Sequence, residues 1–224
     1  NPLVQEPKRI YTIKLTLSNK LSHISIPNSV TTIGYSAFEY NELTSLIVPN
    51  SVTTISAGAF RKNSLTDLTI PNSVTIIGDY AFQSNCLTYV DIPNSVTTIG
   101  ISAFEANNLR SIDLPNSVTT IGDGAFSINR LKYLVIPNSV TMIGEWAFAL
   151  NRLTYVDIPN SVTTIGYSAF KSNHLSDITI PVSVTIIGDY AFTQNWFTKV
   201  VIPYSVKQIG EHSFDEGVYI YHQQ

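Results

Sequence analysis

Apolar side chains return along this chain with a fixed spacing of 22 residues. A valine column runs from Val30 through Val52, Val74 and Val96 to Val206, and a phenylalanine column runs from Phe38 to Phe214 with the same step. Nine prolines, from Pro27 to Pro203, keep the period without an insertion. Each unit holds about seven apolar positions, typified by Ile92, Val96, Ile99, Phe104, Leu109, Ile112 and Leu114. That is too few for one unit to bury a core alone, so neighbouring units must stack and share one. The valine and phenylalanine columns are expected to be its spines.

Ahead of each proline the pattern reads apolar, two free, apolar, free, apolar, as in Leu131, Leu134 and Ile136. Its last part alternates with period two, which predicts a short strand. The proline has no amide hydrogen for a ladder and ends that strand at the same point of each unit. A second short strand is expected over Val-Thr-Thr-Ile. It is followed by Gly34, Gly78, Gly100, Gly122, Gly144, Gly166, Gly188 and Gly210, with Ser56 as the exception, and glycine there points to a positive φ. The Ala-Phe pair falls on a tight 3₁₀ turn, too short for a regular helix. Ser29 and its equivalents are expected to close the turn after each proline. The column from Asn41 to Asn195 is expected to satisfy buried backbone groups from rung to rung.

The ends depart from the pattern. Residues 8–20, with Ile10, Ile13, Leu15 and Leu17 alternating with polar partners, predict a strand that shields the first rung. The last unit carries Lys207, Gln208, Glu211, His212, Asp215 and Glu216, the polar surface of a terminal cap, against which Trp196 and Phe197 are expected to pack. The boundaries are 1–20 for an N-terminal cap, 21–202 for the array, and 203–224 for the last repeat and C-terminal cap. The fold class is a β-rich solenoid of about nine 22-residue rungs with short parallel strands.

Composition narrows the function classes. With 44% hydrophobic and 13% charged residues over a length of 224, the chain is expected to fold. Thirteen Lys and Arg against sixteen Asp and Glu give a net charge of -3, which leaves no basic field for nucleic acid. The single Cys86 makes neither an intrachain disulfide nor a cysteine zinc site. No apolar run approaches the ~18 residues needed to insert in a membrane. The chain opens Asn1-Pro2-Leu3-Val4, without an initiator Met or a signal segment, and reads as a mature or excised fragment.

The phrase Ile-Pro-Asn-Ser-Val-Thr-Thr-Ile-Gly-x-x-Ala-Phe-x-x-Asn-x-Leu-Thr, found at 92–110 and repeated along the chain, resembles the BspA-like (Treponema pallidum-type) leucine-rich repeat. Members of that family usually carry a unit one residue longer. The resemblance implies a right-handed leucine-rich repeat solenoid with a parallel sheet on its concave side. It also implies a bacterial surface or secreted protein, of a kind also found in some mucosal protozoa, that adheres to host proteins or other cells.

If Leu131, Leu134 and Ile136 point inward, the intervening strand positions face out onto the sheet. One such column reads His23, Ser45, Asp67, Tyr89, Ser111, Tyr133, Tyr155, Asp177, Lys199, and its neighbour reads Ser25, Ile47, Thr69, Asp91, Asp113, Val135, Asp157, Thr179, Val201. These columns vary while their flanks scarcely change, so packing does not dictate them. Tyr89, Tyr133 and Tyr155 supply rigid amphipathic area beside Val135, and Asp67, Asp91, Asp113, Asp157 and Asp177 ring them with acid. That composition suits a protein partner with basic groups. The bland alternative is a soluble sheet face with tyrosines stacked across rungs, in a spacer that displays another domain.

A second variable surface carries Tyr35, Tyr80, Trp146, Tyr167 and Tyr190 near the turn, and Arg110, Arg130, Lys132 and Arg152 at the strand's entrance, where an anion site is the lesser reading against solvated edge residues. Catalysis has little to build on. Asp91 and Asp113 sit on adjacent rungs, about 4.8 Å apart at the backbone, as a solenoid hydrolase or a Ca²⁺ site would need. However, no rung carries an insertion and His23, His174, His212 and His222 are scattered. The reading is therefore a non-enzymatic module with no cofactor or metal and a monomer as the favoured state. Ice binding through the threonine columns is a remote option, because Ile76, Met142 and Ile186 interrupt them.

Overall fold

The computed structural model describes residues 20–223. The period becomes a coil of about nine turns built from short parallel strands, without a helix among the described residues. Two-residue strands at Thr32–Ile33, Thr54–Ile55, Ile76–Ile77, Thr98–Ile99 and Thr120–Ile121 form one five-stranded sheet. The same positions at Met142–Ile143, Thr164–Ile165, Ile186–Ile187 and Gln208–Ile209 form a four-stranded one. Only the second half of the expected Val-Thr-Thr-Ile strand forms the ladder, although the amide of the first threonine also reaches the rung below.

The strands ahead of the prolines make the other face. Ser45–Ile47 pairs with Asp67–Thr69, Tyr133–Val135 with Tyr155–Asp157, and Asp91 bridges Asp113, all in parallel. These strands stop two residues short of Pro49, Pro71, Pro137 and Pro159, as the missing amide dictates. The final pair departs from this. Lys199–Pro203 runs through its proline against Tyr219–Gln223, in a register of 219 − 199 = 20 rather than 155 − 133 = 22. The last turn is thus two residues shorter. Asp215 accepts from the amides of Gln194 (2.9 Å) and Asn195 (3.1 Å) with its side chain, where other rungs use a backbone carbonyl, as Thr193 does for the Ser172 amide (2.9 Å).

The core is the column set itself. Val52 to Val184 and Phe60 to Phe192 are fully buried, and the rings stack face to face with centroids 5.4 Å apart for Phe82 and Phe104 and 5.5 Å for Phe104 and Phe126. The Asn side chains tie successive rungs of backbone together in pairs. Asn107 Oδ1 accepts from the Leu87 amide (3.1 Å), while its Nδ2 donates to the carbonyls of Phe82 (2.9 Å) and Phe104 (3.1 Å).

Three local expectations need correction. Gly78, Gly100, Gly122, Gly144, Gly166, Gly188 and Gly210 have no positive φ. They are required for proximity: a Cβ on Gly100 would lie 2.5 Å from the Asp79 amide nitrogen, and one on Gly122 2.6 Å from the Gly100 carbonyl carbon. Nothing in the structure explains why Ser56 is accepted in this column. The positive φ values fall instead two residues on, at Ser36, Tyr80, Ser102, Trp146, Ser168, Tyr190 and His212, and again at Tyr40, Lys62, Ser84, Ala106, Ile128, Leu150, Ser172 and Gln194.

These left-handed residues also prevent a 3₁₀ helix. A bond from the Ala37 amide to the Gly34 carbonyl (3.2 Å) closes one turn, but Ser36 within it has a φ of 49°. The flipped peptide planes send the amides of Ser36, Phe38 and Tyr40 forward to the carbonyls of Ala57, Ala59 and Arg61 on the following rung. The amides that flank the strands point the other way, as from Thr53 to Thr31 and from Ser56 to Ile33. Finally, the turn after each proline is closed by backbone, Val74 N–H to Pro71 carbonyl (3.1 Å). The serine reaches down instead, Ser73 Oγ donating to the Val52 carbonyl (2.6 Å).

The proposed strand at residues 8–20 falls, apart from Lys20, outside the described residues. Among those that are described, no helix is long and apolar enough to cross a membrane.

Candidate functional site

The alternation in the strands before the prolines decides which side chains leave the core. Leu134 and Val156 are buried between neighbours that are not, so Tyr133, Val135, Tyr155 and Asp157 stand on the outer sheet face. Asp67, Asp91, Asp113 and Asp177 are exposed on the same face. Tyr89 is 50%, Tyr133 65%, Tyr155 52% and Val135 59% exposed, which is a large apolar area to leave in water on a sheet whose other face is fully packed.

Register brings these residues together in two groups. Tyr133 lies beside Tyr155 and Val135 beside Asp157 on adjacent rungs, and Asp91 lies beside Asp113. The described aromatic pairs occur along the phenylalanine column, on the turn side and at the last rungs, and none joins Tyr133 to Tyr155. The phenols therefore do not use each other as cover. Asp67 accepts from the Thr66 hydroxyl (2.9 Å) and Asp177 from the Ile178 amide (2.9 Å), so both are partly engaged locally. Asp91, Asp113 and Asp157 have no such bond among the described residues.

The sequence reading missed a third column. The asparagine that follows most of the periodic prolines is exposed at Asn72, Asn94, Asn116, Asn138 and Asn160. Asn72 and Asn94 line a shallow groove with Asp91, Pro93, Asp113 and Pro115, and Asn138 and Asn160 line a second with Val135, Pro137, Asp157 and Pro159. Its signal was present: a polar residue repeated after seven of the nine periodic prolines, replaced only by Val182 and Tyr204, with no turn or core role to explain it. Carboxylates, carboxamides and phenols thus face one strip of surface, which offers acceptors for cationic groups and flat area for aliphatic stems.

Other candidates resolve differently. Among the described residues, no group of three or more His, Cys, Asp or Glu gathers as a metal site. The threonine hydroxyls are engaged from rung to rung, as Thr97 Oγ1 donates to the Thr75 carbonyl (3.3 Å). On the turn side, Trp146, Tyr167, Tyr190 and His212 pack in series at 5.5, 5.7 and 5.4 Å, with the Lys171 ammonium over the Trp146 ring at 5.5 Å. Phe197 packs the last rungs as expected, edge-on to Phe192 and Phe214, but Trp196 does not join it and stacks outside on His174. The two are adjacent in sequence yet fall on opposite sides of the chain wall.

The chain matches the model of the BspA type leucine rich repeat region in six copies, over residues 10–130 and 99–220. Solved structures of similar shape include a leucine-rich repeat protein from Bacteroides ovatus, at 26% identity and a TM-score of 0.71, with 86% of this chain and 55% of that one covered. The pneumococcal vaccine antigen PcpA is 20% identical with a TM-score of 0.66, over 87% of this chain and 56% of that one. A leucine rich cell surface protein from Faecalibacterium prausnitzii is 21% identical with a TM-score of 0.50, over 87% of this chain and 65% of that one. This chain therefore spans little more than half the length of the first two, and the latter two show the fold alone. No curated protein matches it.

Proposed function

From its membership of the BspA-type leucine-rich repeat family, to which the chain belongs, we propose that it is a recognition module of a surface or secreted protein that grips a protein partner with the sheet face before the prolines. Leucine-rich repeat proteins are typically non-enzymatic binding scaffolds. One observation carries the reading: Tyr89, Tyr133, Tyr155 and Val135 stay half or more exposed on a face whose carboxylates, Asp91, Asp113 and Asp157, form no ion pair among the described residues. The partner surface is accordingly basic and partly apolar, with Arg or Lys seated between phenol and carboxylate.

The test is a pull-down from extracellular matrix and serum with the wild-type array against a variant in which Tyr89, Asp91, Asp113, Tyr133, Tyr155 and Asp157 are all serine. Proteins retained by the first and lost by the second are the expected result. The same set retained by both means that the array is a spacer, and the reading fails.

A further inference from the structure

A second strip of surface, at the corner where the chain enters those strands, gathers four cations on three successive rungs. Arg130, Arg152, His174 and Trp196 occupy one column, because their amides donate to the carbonyls of Leu109 (2.9 Å), Leu131 (3.0 Å), Leu153 (2.9 Å) and Leu175 (2.8 Å), each one rung below. Arg110 and Lys132 occupy the neighbouring column of the same corner, and all four cationic side chains are exposed. Adjacent rungs lie only about 4.8 Å apart, so each column sets like charges side by side, an arrangement that costs stability. Other rungs carry Ser64, Cys86 and Asn108, or Thr66, Thr88 and Thr154, at these positions. None of the four cations forms an ion pair: among the described residues the only such pair is Arg61 with Glu39.

We propose that this corner binds a linear acidic polysaccharide laid along the solenoid axis. Three features select that ligand class. The cations are spread over separate rungs on an open surface, so they suit a chain of several anions rather than one enclosed ion. The strip is flanked by acid on both sides, Asp113 and Asp157 on the sheet face and Glu105, Asp123 and Glu145 on the turn face, so a thin strand fits where a nucleic-acid duplex would meet repulsion. The column continues beyond the guanidinium groups into the Trp196 indole, 60% exposed and stacked on His174 at 4.4 Å with planes 10° apart. That is a rigid flat platform for the C–H face of a sugar ring. An extended acidic peptide is disfavoured because the backbone amides of the Arg130 column are already spent on the preceding rung and leave none for strand addition.

The experiment is calorimetric titration of the chain with a heparin-derived oligosaccharide and with an oligogalacturonate, which separates sulfate from carboxylate as the recognised group. Duplex DNA and polyglutamate serve as polyanion controls. Binding to either glycan is expected to weaken about tenfold in Arg130→Gln/Arg152→Gln, and similarly in the independent pair Arg110→Gln/Lys132→Gln, with a further dependence on salt. Trp196→Ser is expected to weaken it severalfold in a manner that added salt does not erase. Failure of both glycans to bind, indifference to both pairs, loss of the effect of Trp196→Ser, or equal binding of DNA or polyglutamate overturns the proposal. All five substituted residues leave the phenylalanine and asparagine columns untouched.

Discussion

Ile128 sits at a φ of 54° although its side chain branches at Cβ, and it is 46% exposed, so little burial offsets the strain. Asparagine tolerates the left-handed region better, and Ile128→Asn is expected to stabilise the array by roughly 1 kcal/mol, read as a higher urea midpoint. An unchanged or lower midpoint would show that the apolar contact outweighs the backbone. Asn107 has the opposite role: it is 7% exposed and holds one amide and two carbonyls. Asn107→Asp keeps the shape and the acceptor but points a carboxylate at the Phe82 and Phe104 carbonyls, and should cost on the order of 3 kcal/mol. If the aspartate variant unfolds at the wild-type midpoint, the ladder is ornamental. The asparagine column was legible beforehand because a polar residue invariant among buried neighbours has few other uses. The left-handed column was not, since Ser, Tyr, Trp, His and Ile share no composition that marks it.

At the scale of the strand and its turn, the glycine column shows how one residue type hides two causes. A positive φ and a close backbone approach both exclude a Cβ, and the sequence records only the exclusion. Coordinates separate them: Gly124 is left-handed at 63°, while Gly100 and Gly122 are crowded by the rung below. Gly100→Ala therefore requires the Asp79 backbone to move, and a loss of about 1–3 kcal/mol is expected by thermal unfolding. A neutral result would mean that rungs slide apart at little cost. The candidate site divides in the same way. Tyr133, Tyr155 and Asp157 were readable from period-two alternation alone. The exposed Asn94 column and the parting of Trp196 from Phe197 were not, because both depend on where the wall bends.

For the whole molecule, stacking makes length a free variable and phase a strict one. Deleting 94–115 joins Pro93 to Asn116 and restores each column one rung shorter. Circular dichroism should report the same fold with a midpoint lower by roughly a few degrees. Deleting 94–104 instead sets turns against strands and should abolish cooperative unfolding; a folded product there would deny that the 22-residue register holds the array together.

The period, the spines, the parallel strands and the outward columns follow from the amino-acid order by itself, because a repeated unit that cannot bury its own core has only its neighbours to pack against. What the tertiary structure alone decided is direction. It sets which amides donate up and which down, which glycines answer to crowding, and which surface columns meet across a bend to make a strip of carboxylates on one side and of cations on the other. Those outcomes depend on distances between residues 20 or more positions apart in the chain, and a linear pattern carries no measure of them.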